Sequence, residues 1–344
     1  MKGVMAQEHL LLWKSAIVLA VLGVQCIAVV RAEGPKTPSP LRLVADVPMP
    51  GPPVRFDYQS LDATSGRLYI SHMNADQLVV FDTRERKVVA NLDGFPRVRG
   101  VWVVPPHERV YAAARASHEV VVVDADTLKV VARVAGVPDP DGIAYAPKAD
   151  RVFVSDERSK ADAVIDARTN RLVTSIALGG EAGNTVYDAG ADRILVAVAD
   201  PAELAVIDPA AAQVVGRIAL PGLKEPHGVA LDVVRRVAYV AAEGNHTLAV
   251  VDLESRKVLE THPVAEDPDV LSLDPGRGLL YVAAESGNVT VFARQGKGLV
   301  SRGQMAIPHA HSVCVDPGTH LVYLPLEDVG GRPVLRIMEP AVND

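Results

Sequence analysis

Seven copies of one unit run through the chain. Each carries a large side chain at the same point: Tyr69, Tyr111, Phe153, Leu195, Tyr239, Tyr281 and Tyr323, separated by 42, 42, 42, 44, 42 and 42 residues. Within a unit, short apolar runs such as Gly228–Leu231 and Tyr281–Ala284 alternate with turns rich in Asp, Pro, Gly and Arg, such as Asp274–Arg277. Runs this short, bounded by turn formers, read as strands. Four strands recurring near every 42 residues predict one propeller blade per unit. The expected fold is therefore all-β: a seven-bladed β-propeller of four-stranded blades over residues 41–339. Such a ring gathers the same position of every unit around one axis, so residues far apart in sequence become neighbours.

A length of 344 residues suggests two domains, but the unbroken repeat argues for one closed ring. The last unit stops after its third strand, Val334–Met338. The segment Leu41–Val47 resembles the fourth strands elsewhere and is expected to complete that blade, which removes a free edge.

The terminal segments carry other expectations. Lys2 and Lys14 precede an apolar stretch at 16–30, and Val30-Arg31-Ala32 offers small residues at the −3 and −1 positions of a cleavage site. Residues 1–32 thus read as a signal peptide cleaved after Ala32, 33–40 as an extended leader and 340–344 as a tail. The implied location is periplasmic or secreted, with no membrane contact beyond the signal. Cleavage would remove Lys2, Lys14, Arg31 and Glu8, taking the net charge from −7 to −9. That balance argues against nucleic acid and anionic membranes as partners. Cys26 would leave with the signal, so Cys314 would stand alone in an alternating strand, a small buried apolar residue.

An Asp ends the third strand of five units: Asp82, Asp124, Asp166, Asp208 and Asp252. An Asp entering a turn accepts hydrogen bonds from backbone N–H groups two or three residues on. This column is expected to be a turn device and not a set of catalytic carboxylates.

The units resemble the YVTN-type β-propeller repeat of bacterial and archaeal cell-surface and secreted proteins. The resemblance is carried by Tyr239-Val240-Ala241-Ala242, Tyr281-Val282-Ala283-Ala284 and Phe153-Val154-Ser155-Asp156, with the downstream strands that end in Asp-x-x-Thr. It departs from the pattern in lacking a literal Tyr-Val-Thr-Asn and in having Leu195 in the fourth unit. It implies the propeller fold and export. Family analogy also suggests an accessory role in periplasmic redox metabolism.

Aligning the units places one residue per blade at the mouth of the central channel: Asp57, Arg99, Asp141, Gly183, His227, Asp269 and His311. Two positions earlier lies an outer ring: Arg55, Arg97, Asp139, Glu181, Glu225, Asp267 and His309. Past the second strands come Arg115, Glu157, Glu243, Glu285 and Glu327, with His72 and Asp156 at their ends. Arginines gather on blades 1 and 2, histidines and carboxylates on blades 5 to 7. A small-molecule or protein ligand, anionic on the arginine side, is expected at Arg55, Asp57, Arg97, Arg99, Arg115, Asp141 and His309. His227, Asp269 and His311 form a candidate facial set for a divalent transition metal, which Glu243, Glu285 or His309 could extend. Asp139/Asp141 and Asp267/Asp269 offer oxygens to Ca²⁺ or Mg²⁺ instead. The plainer alternative is a solvated mouth whose charges pair with one another and bind no metal tightly.

No phosphate-cradling Gly-rich loop, Cys pair or Gly-x-Ser-x-Gly elbow is present. Trp102, in an inner strand, is expected in the core. The reading is an exported, monomeric binding propeller. The competing class is a metal-dependent lyase or hydrolase (lactonase type), with metal at His227/Asp269/His311 and His227, Glu243 or Glu285 as catalytic candidates.

Overall fold

The computed structural model describes residues 39–341. The expected signal peptide, most of the leader and the last three residues lie outside them. Seven antiparallel four-stranded sheets follow one another, each strand paired with the next in sequence. Blade 3 is representative: Pro140–Ala146 innermost, then Arg151–Asp156, Ala161–Asp166 and Arg171–Ala177 outermost. The last blade is built from both ends of the propeller. Leu41–Pro48 pairs antiparallel with Val334–Pro340, from Leu41 opposite Pro340 to Pro48 opposite Val334. The closing strand was expected, and the last strand runs one residue past the expected boundary. Among the described residues no helix is long and apolar enough to cross a membrane.

The core lies between blades. Val152, Val154, Ala163 and Ile165 of blade 3 pack with Val104, Tyr111, Ala113, Val120 and Val122 of blade 2. The column Tyr69, Tyr111, Phe153, Leu195, Tyr239, Tyr281 and Tyr323 is buried throughout. These side chains fill the wedge between neighbouring sheets, which explains why Leu195 serves in place of an aromatic. The Asp column behaves as a turn device. Asp124 Oδ1 accepts from the Thr127 N–H and hydroxyl, both at 2.9 Å. Asp166 repeats this with Thr169 at 2.8 and 2.9 Å. These donors, the backbone N–H first, hold both carboxyls below their usual range.

The inner strands are irregular where they reach the channel mouth. Register shifts separate Val98 from Val101, Pro140 from Ile143, Ala182 from Thr185, Pro226 from Val229 and Pro268 from Leu271. A bulge turns the side chains at the shift out of the pleat. The residues inside these five bulges include Arg99, Asp141, Gly183, His227 and Asp269, so the same irregularity presents the ring residues to the axis in blades 2 to 6.

Close approach of neighbouring inner strands requires glycine one position further on. A Cβ on Gly228 would fall 2.0 Å from the Asp269 carbonyl oxygen, and one on Gly100 would fall 1.9 Å from that of Asp141. Only blades 2, 3 and 5 hold glycine here; blade 1 has Tyr58, blade 4 Asn184, blade 6 Val270 and blade 7 Ser312. The Tyr58 hydroxyl donates to Asn184 Oδ1 at 2.5 Å, spanning the channel from blade 1 to blade 4. This bar divides the channel into a charged bowl and a wider apolar chamber.

Candidate functional site

The bowl has a volume of about 130 Å³ and is lined by Arg55, Asp57, Tyr58, Arg99, Asp141, Glu157, His227, Glu243, Asp269 and Glu285. Blade connections hold its rim in place. The backbone N–H groups of Glu157, Glu243 and Glu285 donate to the carbonyls of Asp139, Glu225 and Asp267 at 3.1, 3.0 and 2.8 Å. Arg97, Glu225, Asp267 and His309 of the outer ring adopt left-handed backbone, with φ of 49°, 52°, 53° and 70°. Such conformations cost a non-glycine residue energy and persist where surrounding structure enforces them.

Six carboxylates line the bowl against two arginines, and the arginines are engaged. Arg99 Nη1 reaches Glu157 at 2.7 Å and Asp141 at 3.3 Å. Arg55 Nη2 reaches Glu285 at 2.6 Å. Arg115 sits outside the bowl, paired with Asp139 and 3.8 Å from Glu157. Arg97 is exposed, its backbone N–H bonded to Asp76 at 2.7 Å, and does not line the bowl. His309 pairs with Glu327 on the rim. The arginine sector is therefore compensated internally, which leaves an acidic cavity. Glu285, a candidate base by sequence, is held by Arg55.

The buried part of the ring is under-satisfied. Asp57, Asp141, Asp269 and His311 are only 3, 2, 5 and 7% exposed. Asp141 Oδ1, His227 Nδ1, Asp269 Oδ1 and His311 Nε2 have no hydrogen-bond partner. Leaving a buried polar atom without a partner costs about 1–3 kcal/mol. Three of these residues, Asp141, His227 and Asp269, line the bowl, while His311 lines the adjoining pocket with Arg55 and Glu285, so the bowl is the place that calls for an occupant.

Three clusters bring potential ligand atoms within 4.8 Å of one another: Asp57/Asp269/His311, Asp141/Glu157/His227 and His227/Glu243/Asp269. The set expected from sequence, His227/Asp269/His311, is divided between two of these, with Asp269 common to both. His227 Nδ1 lies 3.4 Å from Glu243 Oε1 and 3.4 Å from Asp269 Oδ1, while its Nε2 faces Asp141 at 3.7 Å.

Burial works against a proton on His227, but Asp141, Asp269 and Glu243 outweigh it and raise its pKa well above the usual value. Burial pushes Glu243 up to about 7 against the opposing pull of His227. Asp57 is raised, again mainly by burial. Burial acts upward on Asp269 too, yet His227, His311 and Arg55 hold it below the usual carboxylate range.

Other sequence-derived positions fall elsewhere. His72 is fully buried and stacks on Phe56 with ring centroids 3.9 Å apart, so it does not face the mouth. Asp156 is buried and accepts the Asp139 N–H at 2.9 Å. Trp102 corrects the core assignment: it is 40% exposed and lines the chamber beyond the Tyr58 bar. Alternation explains the error, because in an inner strand one face packs between blades and the other looks into the channel. That chamber, about 610 Å³, opens at the face carrying the first-to-second-strand turns, with Tyr145, Tyr187 and Val186 in its wall. Cys314 also lines it, and burial pushes its thiol up to about 12. Tyr58 was missed by sequence reasoning. Its signal was an aromatic in a column that otherwise holds Gly100, Gly142, Asn184, Gly228, Val270 and Ser312.

Fold and site together define a seven-bladed β-propeller with an acidic, polar-lined channel mouth. Among solved structures the chain is similar to Kuenenia stuttgartiensis hydrazine synthase, with 16% identity, a TM-score of 0.73, and coverage of 87% of this chain and 97% of that one. At that identity the likeness shows the fold alone. No family model matches the chain, and no curated protein matches it either. The likeness to YVTN-type repeats thus rests on the repeat residues themselves.

Proposed function

We propose that the chain is an exported binding propeller whose channel mouth captures a cation. The observation that carries this reading is the pair of unpartnered carboxylate oxygens on Asp141 and Asp269, with the unpartnered His227 Nδ1 beside them, in one acidic cavity. Carboxylate lone pairs without donors, in a bowl of six carboxylates whose two arginines each already hold a carboxylate, complement a positive ligand. An anion would have to displace Glu157 or Glu285 from its arginine, at the cost of burying unpaired carboxylate charge. Export is supported by the basic start, apolar stretch and small-residue cleavage pattern of residues 1–32.

The test is thermal unfolding of the protein with and without Mg²⁺, Ca²⁺, Mn²⁺ and Zn²⁺ after chelator treatment. A ligand at 100 times its Kd stabilises a native state by about 2.7 kcal/mol. At least one ion is expected to raise the midpoint saturably, and Asp269→Asn to abolish the rise. No shift with any ion, or a shift unaffected by Asp269→Asn, overturns the reading.

A further inference from the structure

We propose that His227 Nδ1, Glu243 and Asp269 form a three-ligand site for a divalent transition metal, with a fourth position open to the bowl. This assignment rests on the cation reading and sharpens it to one cluster and one geometry.

Donors about 2.1 Å from a tetrahedrally coordinated ion lie about 3.4 Å apart, and zinc-type ions take His nitrogen and carboxylate oxygen at about that bond length. The separations from His227 Nδ1 to Glu243 and to Asp269 are both 3.4 Å. Neither contact is aligned as a hydrogen bond, and both His227 Nδ1 and Asp269 Oδ1 are buried without a partner. Asp269 is 5% exposed, so its free oxygen is held where solvent does not satisfy it.

The far side of His227 supports the same assignment. Metal-bound imidazoles usually present their second nitrogen to a carboxylate, which sets the tautomer. His227 Nε2 faces Asp141 at 3.7 Å, and Asp141 is steadied by Arg99 at 3.3 Å. A proton on Nε2 leaves the Nδ1 lone pair directed at Glu243 and Asp269.

The two competing clusters are poorer. In Asp141/Glu157/His227 both carboxylates already receive Arg99. In Asp57/Asp269/His311 all three residues are buried, and His311 Nε2 stands 3.8 Å from Asp57. Only the His227/Glu243/Asp269 set includes a half-exposed ligand, since the Glu243 side chain retains 37% exposure and gives an ion a way in. Three protein donors plus an open position is the arrangement of zinc sites that go on to bind water or a substrate.

The test is titration of the chelator-treated protein with Co²⁺, read by visible absorption and by metal content after desalting. Tetrahedral Co²⁺ absorbs far more strongly than octahedral. One equivalent is expected, with the intense spectrum, competed by Zn²⁺. His227→Gln and Glu243→Gln should each weaken binding at least tenfold, whereas Asp57→Asn and His311→Gln leave it within about twofold. Circular dichroism of each variant reports whether it folds. Stoichiometric Co²⁺ with a weak octahedral spectrum, or binding that depends on Asp57 and His311 but not on His227, overturns this assignment and leaves the cation reading intact. Absence of bound Co²⁺ in the folded protein overturns this assignment, and the cation reading falls with it only if Mg²⁺, Ca²⁺, Mn²⁺ and Zn²⁺ also leave the unfolding midpoint unchanged.

Discussion

Asp162→Asn isolates the energetic cost of a buried carboxyl in this fold. Asp162 lies in the third strand of blade 3, fully buried. Its Oδ2 accepts the Thr185 hydroxyl of blade 4 at 2.7 Å, while Oδ1 has no partner. Burial raises its pKa from 3.8 to about 7, with Thr185 and the backbone only partly opposing. Because the folded-state value is the higher one, the folded protein holds its proton where the unfolded chain has released it. Stability from this group is therefore complete below about pH 4 and falls as pH rises through the interval up to about 7. At about 1.4 kcal/mol per pH unit, the full loss is about 4 kcal/mol. Asparagine keeps the shape and the Thr185 acceptor without carrying a charge. Urea unfolding of both proteins at pH 4.5 and pH 8 reads the effect. The variant should gain about 3 kcal/mol on the wild type between those pH values, with no further gain above pH 8. A difference that is flat with pH, or that favours the wild type as pH rises, refutes the argument.

Gly228→Ala should cost about 1–3 kcal/mol, because its Cβ would fall 2.0 Å from the Asp269 backbone and force two inner strands apart. Gly216→Ala is the control, since its Cβ meets only the end of Arg256 at 3.4 Å; equal midpoints for the two variants in denaturant unfolding would refute the packing account. For the channel bar, a double-mutant cycle over Tyr58→Phe and Asn184→Ala should return a coupling of about 1 kcal/mol. Additivity would mean that the 2.5 Å contact contributes nothing.

Much of the architecture was legible because it repeats. One four-strand plan, used seven times, averages out the ambiguity of any single short run, and the missing fourth strand after Val334 pointed to Leu41–Val47 as its replacement. Asp57, Arg99, Asp141, His227 and Asp269 of the ring were also legible as lining the bowl, since equal spacing in a closed ring implies equal distance from the axis. Local rules misplaced particular side chains. Trp102 was assigned to the core because an inner strand is mostly buried, yet its pleat face looks into the channel. His72 was counted with the mouth, but it turns under the incoming chain to stack on Phe56.

The sequence by itself determined the seven-fold plan and its closure, because those follow from spacing, and it named Asp57, Arg99, Asp141, His227 and Asp269 among the residues that line the bowl. Only the tertiary structure decided how these residues partner one another. Spacing says nothing about direction, and direction here is set by the bulges at Asp141, His227 and Asp269 and by contacts between blades. Those contacts commit Arg55 and Arg99 to carboxylates, split the expected His227/Asp269/His311 set between two clusters, and bring Glu243 to His227. The charges on the ring were readable one at a time, but their balance depends on distances of a few ångströms between residues from different blades.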